Sequence, residues 1–339
     1  MAIPDSLNPL GVPDFNGDGR TDLFSFNANI RTPEIMLMSG VRSLSSSSFS
    51  FTLDDWQDPK FGDFNGDRKT DSIWRNDKVG ANAIWLMNGT TIESAAFLEP
   101  LQGVWTDVVG DFDGNGKSDL LWYNPNTGDY QVWLMDGLQR VKQTSGKIQQ
   151  GWQATIADFN NDNRSDVFWR NPTTGENGVW TFDPQTLAIY GEFIPFKSPT
   201  WTPEIIDYNG NGRSDTYWRD RLTGQNQVWT WTVSGLQPNS TPIELPNVGG
   251  DFVIKTADFE GNGRTDFLVR NPSAGEDQIW LSEDTGVQIL PFATQSAGFQ
   301  AEIGDYNGDR FSDIRWTSTN GVQGTIWFSN GILPRAMVA

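Results

Sequence analysis

The 339-residue chain contains no cysteine and no histidine. Without cysteine it is not a disulfide scaffold. Without either residue it lacks the usual ligand sets for zinc, copper and iron, the Ser-His-Asp and Cys-His nucleophile arrangements, and the HExxH metal motif. Basic residues are also scarce: 24 Lys and Arg stand against 43 Asp and Glu, for a net charge of −19. So acidic a chain is a poor match for nucleic acid or anionic membrane, which need a basic surface. No apolar run approaches the roughly 20 residues of a membrane-spanning helix. Residues 1–10 have neither a basic n-region nor an apolar core, so no signal peptide is read there.

What the sequence does have is a nine-residue acidic loop, Asp-Phe/Tyr-x-x-Asp/Asn-x-x-Ser/Thr-Asp in outline, starting at Asp14, Asp63, Asp111, Asp158, Asp207, Asp258 and Asp305. The spacings are 49, 48, 47, 49, 51 and 47 residues, which makes the chain an array of seven units. Eleven residues after the first Asp comes Trp74, Trp122, Trp169, Trp218 or Trp316, with Ser25 and Val269 as exceptions. Twenty-two residues after it comes Met36, Trp85, Trp133, Trp180, Trp229, Trp280 or Trp327, always preceded by Ile or Val. Length is constant up to the second Trp and varies only afterwards, as in a packed hairpin followed by a surface connection.

Each unit offers about four strands; in the third they are an entry into the loop at 106–110, an exit at 120–123, a run around the second Trp at 131–135, and one before the next unit. The exit strands, Leu120-Leu121-Trp122 and Val167-Phe168-Trp169, are apolar at successive positions, so both of their faces are expected to be buried. Four-stranded sheets covered on both faces are propeller blades, and seven units predict an all-β, seven-bladed β-propeller in one domain over 1–339. A solenoid is the alternative, but neither end supplies a polar cap. The Ser-rich stretch 43–50 reads as a mobile loop, and units one and seven, where Ser25, Met36 and Arg315 break the pattern, read as the place where the ring closes.

Oxygen donors at loop positions one, three, five and nine, with the backbone carbonyl of position seven, would wrap a hard divalent cation, and Gly near positions four and six permits the turn. The candidate ligands are Asp14, Asn16, Asp18, Arg20 (carbonyl) and Asp22 in the first loop, and Asp63, Asn65, Asp67, Lys69 (carbonyl) and Asp71 in the second. The third and fourth offer Asp111, Asp113, Asn115, Lys117 (carbonyl), Asp119 and Asp158, Asn160, Asp162, Arg164 (carbonyl), Asp166. The fifth has Asp207, Asn209, Asn211, Arg213 (carbonyl) and Asp215, and the sixth has Asp258, Glu260, Asn262, Arg264 (carbonyl) and Asp266. The seventh has Asp305, Asn307, Asp309, Phe311 (carbonyl) and Asp313. Calcium, in up to seven copies, is the expected ion. These loops hold 20 of the 43 acids, so the net charge is almost wholly a property of the loops. The competing reading is a set of Asx turns with solvated carboxylates.

The loop Asp-Phe-Asn-Gly-Asp-Gly-Arg-Thr-Asp of residues 14–22, and its repetition over roughly 8–338, resembles the FG-GAP or VCBS repeats of integrin α-subunit propellers, secreted bacterial proteins and mushroom lectins. The resemblance implies a seven-bladed propeller with calcium in the hairpin between the first two strands of a blade. It leaves function open among several classes. A calcium-dependent lectin-like or adhesion module is the leading expectation, a protein-binding propeller of integrin type the second, and a polysaccharide lyase or glycoside hydrolase the third. The expected partner is therefore a glycan or a protein, at an extracellular or cell-surface location where calcium is plentiful.

The repeated Trp residues read first as core. Trp231 and Tyr190, outside the repeat frame, are the more suggestive aromatics, and the Arg-Asn pairs Arg75-Asn76, Arg170-Asn171 and Arg270-Asn271 read as turn-fixing. No catalytic residue is assigned. A glycosidase needs two carboxylates about 5–9 Å apart, and Glu93, Asp107, Glu176, Glu192, Glu204, Glu276 and Glu302 show no spacing that selects a pair.

Overall fold

The computed structural model describes residues 12–26, 32–49, 55–57, 59–231, 236–292, 295–318, 325–331 and 335–336. Every regular element among them is a strand, and each sheet is built from one contiguous repeat. The first sheet has three described strands, Leu23–Phe26, Pro33–Ser39 and Arg42–Ser48. The others have four. These are Lys60–Gly62, Asp71–Asn76, Ala81–Asn88 and Thr91–Leu98 in the second, and Thr106–Gly110, Asp119–Tyr123, Asp129–Asp136 and Gln139–Lys147 in the third. The fourth comprises Gln153–Ala157, Asp166–Arg170, Asn177–Phe182 and Ile189–Ile194, and the fifth Trp201–Ile206, Asp215–Asp220, Asn226–Trp229 and Ile243–Leu245. The sixth comprises Val253–Ala257, Asp266–Asn271, Glu276–Glu283 and Gly286–Pro291, and the seventh Phe299–Gly304, Asp313–Ser318, Ile326–Phe328 and Arg335–Ala336. All pairings are antiparallel between sequence neighbours, the blade topology of a seven-bladed β-propeller.

Two compact units carry these sheets. Residues 1–38, 42–158 and 162–196 form one, with the first four sheets; residues 39–41, 159–161 and 197–339 form the other, with the last three.

The second strand of the second to sixth sheets is the core, as its unbroken apolar run requires. Asp119–Tyr123 and Asp166–Arg170 are buried at every position, whereas the fourth strand Thr91–Leu98 alternates exposed and half-buried. The two repeated Trp residues of a unit meet inside its own sheet. Ring centroids lie 4.6 Å apart for Trp74 and Trp85, 5.5 Å for Trp122 and Trp133, 4.8 Å for Trp169 and Trp180, 5.0 Å for Trp218 and Trp229, and 5.4 Å for Trp316 and Trp327. Each such pair adds roughly 0.5–1.5 kcal/mol beyond the burial of its surface. In the first repeat, which lacks both Trp residues, Phe15, Phe24 and Phe61 pack together instead, with centroids 5.2–6.4 Å apart.

Two expectations change, and a third residue is explained. Residues 42–48 of the Ser-rich stretch form a fourth-strand equivalent rather than a loop, because that position pairs through its backbone and demands little of its side chains. Ser50 lies outside the described residues. Trp231 belongs to the repeat frame: it occupies the site of Met38, Met87 and Met135, is buried, and stacks on Phe159 at 4.0 Å. Arg315 is accommodated by pairing with Glu302.

Candidate metal centres

Among the described residues the second to seventh acidic loops join the first two strands of their sheets, the first leads into Leu23–Phe26, and all seven have one backbone conformation. Positions four and six have positive φ in all seven copies, from Gly17 at 71° and Gly19 at 80° to Gly308 at 81° and Arg310 at 72°. This explains the glycines, and the Asn161 and Asn163 of the fourth loop, since Asn tolerates the left-handed region better than most residues. Arg68 and Arg310 hold that conformation without such help.

The fold turns backbone N–H groups onto the acids. The carboxylate of position one accepts three: in the third loop Asp111 Oδ1 takes Gly114 N–H at 2.7 Å and Asn115 N–H at 3.1 Å, and Oδ2 takes Gly116 N–H at 2.8 Å. Position nine is gripped at both oxygens. Asp119 Oδ2 accepts Phe112 N–H at 2.9 Å and Oδ1 accepts Met135 N–H at 2.8 Å, and the same pair recurs at Asp22, Asp71, Asp215, Asp266 and Asp313. Position five accepts the N–H of position seven in all seven loops, an Asx turn each time. The turn reading is therefore realised as geometry, and it does not compete with ion binding: the same hydrogen bonds hold the acids in place.

Burial makes the acids costly as bare anions. It pushes Asp119 up to about 8, Asp71, Asp215, Asp266 and Asp313 up to about 7, and Asp22 up to about 6, against the pull of their backbone donors. The position-one acids Asp14, Asp63, Asp111, Asp207, Asp258 and Asp305 are raised as well, chiefly by burial.

The loops differ in what neutralises them. In three, the position-seven side chain folds back on the position-five acid: Arg20 on Asp18 at 3.0 Å, Lys69 on Asp67 at 3.3 Å, and Arg164 on Asp162. In the third loop Lys117 turns away to Asp136 at 2.5 Å, and in the sixth Arg264 turns to Asp284 at 2.7 Å. The third loop keeps Asp111, Asp113 and Asp119 with carboxylate oxygens all within 4.8 Å of one another. Two full charges at that range repel by roughly 3–4 kcal/mol at an effective dielectric near 20. Three convergent, oxygen-only donors fit calcium in charge and ligand type.

The other sequence candidates separate cleanly. Arg75, Arg170 and Arg270 are buried, as is Arg219 at the same repeat position, and Arg75, Arg219 and Arg270 reach beyond the turn. Arg75 bonds Asn82 Oδ1 at 2.8 Å and the carbonyls of Leu101 and Gly103 at 3.0 and 2.7 Å, tying the connection to the next sheet. The adjacent Asn does fix the turn, as Asn76 and Asn171 accept the N–H groups two residues on. Tyr190 is exposed on a fourth strand. Glu93, Glu176, Glu192 and Glu276 are exposed. Asp107 is buried in a cavity of about 410 Å³ beside Lys60, while Glu192 and Glu302 line two other cavities, so no two of the seven candidates share one of these spaces.

Sequence reading passed over position eight. Its Ser or Thr, present in all seven copies, bonds the backbone of the preceding loop at Thr70, Ser118, Ser165, Thr265 and Ser312, at Ser118 through the N–H alone: Thr70 N–H donates to the Asp14 carbonyl at 2.8 Å and Thr70 Oγ1 accepts Asp14 N–H at 2.8 Å. Its invariance within the chain was the available signal.

The FG-GAP-like repeat family matches residues 14–74, 63–122, 111–169 and 207–269, each span running from one acidic loop to the core position of the next sheet. No curated protein sequence matches the chain. Among solved structures, a lectin of Agrocybe aegerita, described for its recognition of non-reducing terminal N-acetylglucosamine, is similar with a TM-score of 0.69 at 13% identity, over 97% of this chain and 92% of that one. BBS1N in complex with ARL6DN follows at 0.53 and 13%, over 95% and 91%. A putative 6-phosphogluconolactonase from Bacteroides uniformis is similar at 0.51 and 14%, over 96% and 93%. At these identities the likeness is one of fold.

Proposed function

The chain belongs to the FG-GAP-like repeat family, and from that premise we propose that it is a non-enzymatic, calcium-binding propeller acting as a carbohydrate-binding, lectin-like module. The convergence of Asp111, Asp113 and Asp119 carries the calcium part of this reading. Calcium, when bound, supplies the positive charge that balances the buried Asp111 and Asp119 and the half-buried Asp113, and the backbone donors of each loop hold the ligands in place beforehand. Loops of this kind suit extracellular calcium at ~10⁻⁴ to 10⁻³ M, which favours a secreted or cell-surface setting.

The glycan part is supported by the similarity to the Agrocybe aegerita lectin over nearly the whole chain. It is supported also by the scattering of the non-loop carboxylates over separate cavities, against the paired carboxylates that glycoside hydrolysis needs. A second reading, a propeller that binds a protein, is favoured by the likeness to BBS1N, solved in complex with ARL6DN. A glycan-array screen in calcium, repeated after chelation, separates the two. Calcium-dependent binding to a defined sugar class supports the lectin. Silence across a broad array with folded protein overturns it in favour of the protein-binding propeller.

A further inference from the structure

The fourth sheet departs from its siblings on one face. Its register sets Trp169, Gly178 and Phe193 in one row across three strands, and Val167, Trp180 and Gly191 in the next. Residues two apart on a strand share a face, so each outer aromatic, Phe193 and Trp180, has a glycine opposite it. A cavity of about 290 Å³ opens above these glycines, walled by Trp152, Trp180 and Phe193, with Ile148 and Gln149 of the preceding connection at its edge. Gly191 is required for this shape: a Cβ there would stand 2.9 Å from Trp180 Cδ1 and 3.0 Å from Nε1.

In three other sheets the equivalent space is plugged, while the second sheet has Ala83 and Ala95 at the positions of Gly178 and Gly191. In the third, Gln131 Oε1 accepts Trp133 Nε1–H at 2.9 Å and the Arg140 guanidinium covers the Trp133 ring at 4.7 Å. In the sixth, Gln278 accepts Trp280 Nε1–H at 3.0 Å. In the fifth, Gln227 accepts from the Lys197 ammonium, which lies 3.8 Å from the Trp201 centroid and 5.3 Å from that of Trp229. The fourth sheet keeps the aromatic walls but has Gly178 where these have Gln. Among the described residues, Trp180 Nε1–H has no hydrogen-bond partner.

We propose that this recess receives one pyranose ring of the glycan ligand, an assignment that rests on the carbohydrate-binding reading above. The aromatic walls offer flat apolar faces to the C–H side of the ring, and Trp180 Nε1–H donates to a ring hydroxyl, completing the bond that Gln131 and Gln278 make elsewhere. An ammonium ligand, which the Lys197 arrangement brings to mind, has no acceptor for that N–H. A hydroxyl has one.

The test uses Gly178→Gln, which restores the side chain of the sibling sheets. Gly178 lies outside the left-handed region, and an added Cβ meets only the Glu192 carbonyl at 3.3 Å, so the variant is expected to fold. Wild type and variant are titrated by tryptophan fluorescence with methyl pyranosides of glucose, galactose, mannose and N-acetylglucosamine and with tetramethylammonium chloride, beside a glycan array of both. At least a tenfold loss of sugar affinity in Gly178→Gln supports the assignment. Equal sugar affinity in the two proteins overturns the recess while the carbohydrate reading stands. A wild type that binds no glycan overturns both, and a response to tetramethylammonium alone replaces the sugar with a cation. Should Gly178→Gln misfold, Phe193→Ala, at a side chain largely exposed, is expected to show the same loss, and its failure to do so is equally decisive.

Discussion

Ser165 and Asp111, on successive acidic loops, exchange two hydrogen bonds: Ser165 N–H donates to the Asp111 carbonyl at 2.6 Å, and Asp111 N–H donates to Ser165 Oγ at 2.9 Å. Thr265 with Asp207 and Ser312 with Asp258 repeat the exchange. The first residue of one acidic loop is therefore positioned by the eighth residue of the next. Glycine permits the close approach, since a Cβ on Gly110 would stand 2.6 Å from Ser165 Oγ.

Replacing Ser165 by Ala leaves the buried Asp111 N–H without its acceptor. The expected cost is about 1–3 kcal/mol, the range for an unsatisfied buried donor, measured as a lowered urea midpoint with an unchanged m-value. A change of only a few tenths of a kcal/mol would mean that water or a backbone shift replaces the hydroxyl.

Asp119 and Asp113 serve the third loop differently, and paired variants expose it. Asp119→Ala strips the acceptor from Phe112 and Met135 N–H, so it destabilises the protein both in calcium and in chelator. Asp113 accepts only from within its own exposed loop, from Asn115, so Asp113→Ala costs stability mainly in calcium. An ion bound at a hundredfold excess over Kd contributes about 2.7 kcal/mol per site. Thermal melts in calcium and in chelator decide the matter, and a melting temperature indifferent to chelation in the wild type would sink the calcium proposal.

The links between sheets give a third contrast. Arg75 holds the carbonyls of Leu101 and Gly103, and the third sheet has Tyr123 at the same repeat position, its hydroxyl donating to the Gln149 carbonyl at 3.0 Å. Arg75→Ala leaves several buried acceptors and an open volume, for an expected loss of about 3 kcal/mol or more. Tyr123→Phe keeps the ring and loses two bonds, the one to the Gln149 carbonyl and the one its hydroxyl accepts from Trp152 N–H at 3.3 Å, about 1–2 kcal/mol. Equal effects in chemical denaturation would contradict this ordering.

How far these features were legible depends on whether they recur at a fixed offset. The loops, the strands and the Trp pairs do, and periodicity alone located them. The site of Trp231 is otherwise filled by Met, Phe or Ser, so a change of residue type hides its offset in the sequence. The Arg75 carbonyl contacts lie 26 and 28 residues away, across the connection of variable length, where no spacing rule reaches. The recess of the fourth sheet was invisible for a related reason. Gly191 and Phe193 sit on a fourth strand whose register is set by the hairpin, so only the folded sheet brings them opposite Trp180 and Gly178.

Asp107 provides a pH-dependent test away from the acidic loops. Burial raises its carboxyl above the ordinary value, against the opposing pull of Lys60 and Arg75, with Asp77 adding to the rise. A folded state that holds the proton more tightly than the unfolded chain gains stability as pH falls through the raised value, and the gain is complete below the ordinary value of about 3.9. Asparagine at 107 has no charge to desolvate. Asp107→Asn is therefore expected to be more stable than the wild type at pH 7, with the difference shrinking toward pH 4, while the loop aspartates, common to both proteins, cancel in the comparison. Denaturation midpoints of the two proteins across that range measure it. A variant less stable than the wild type at pH 7 would show that attraction to Lys60 and Arg75 outweighs burial, and would place an ionised Asp107 in its cavity.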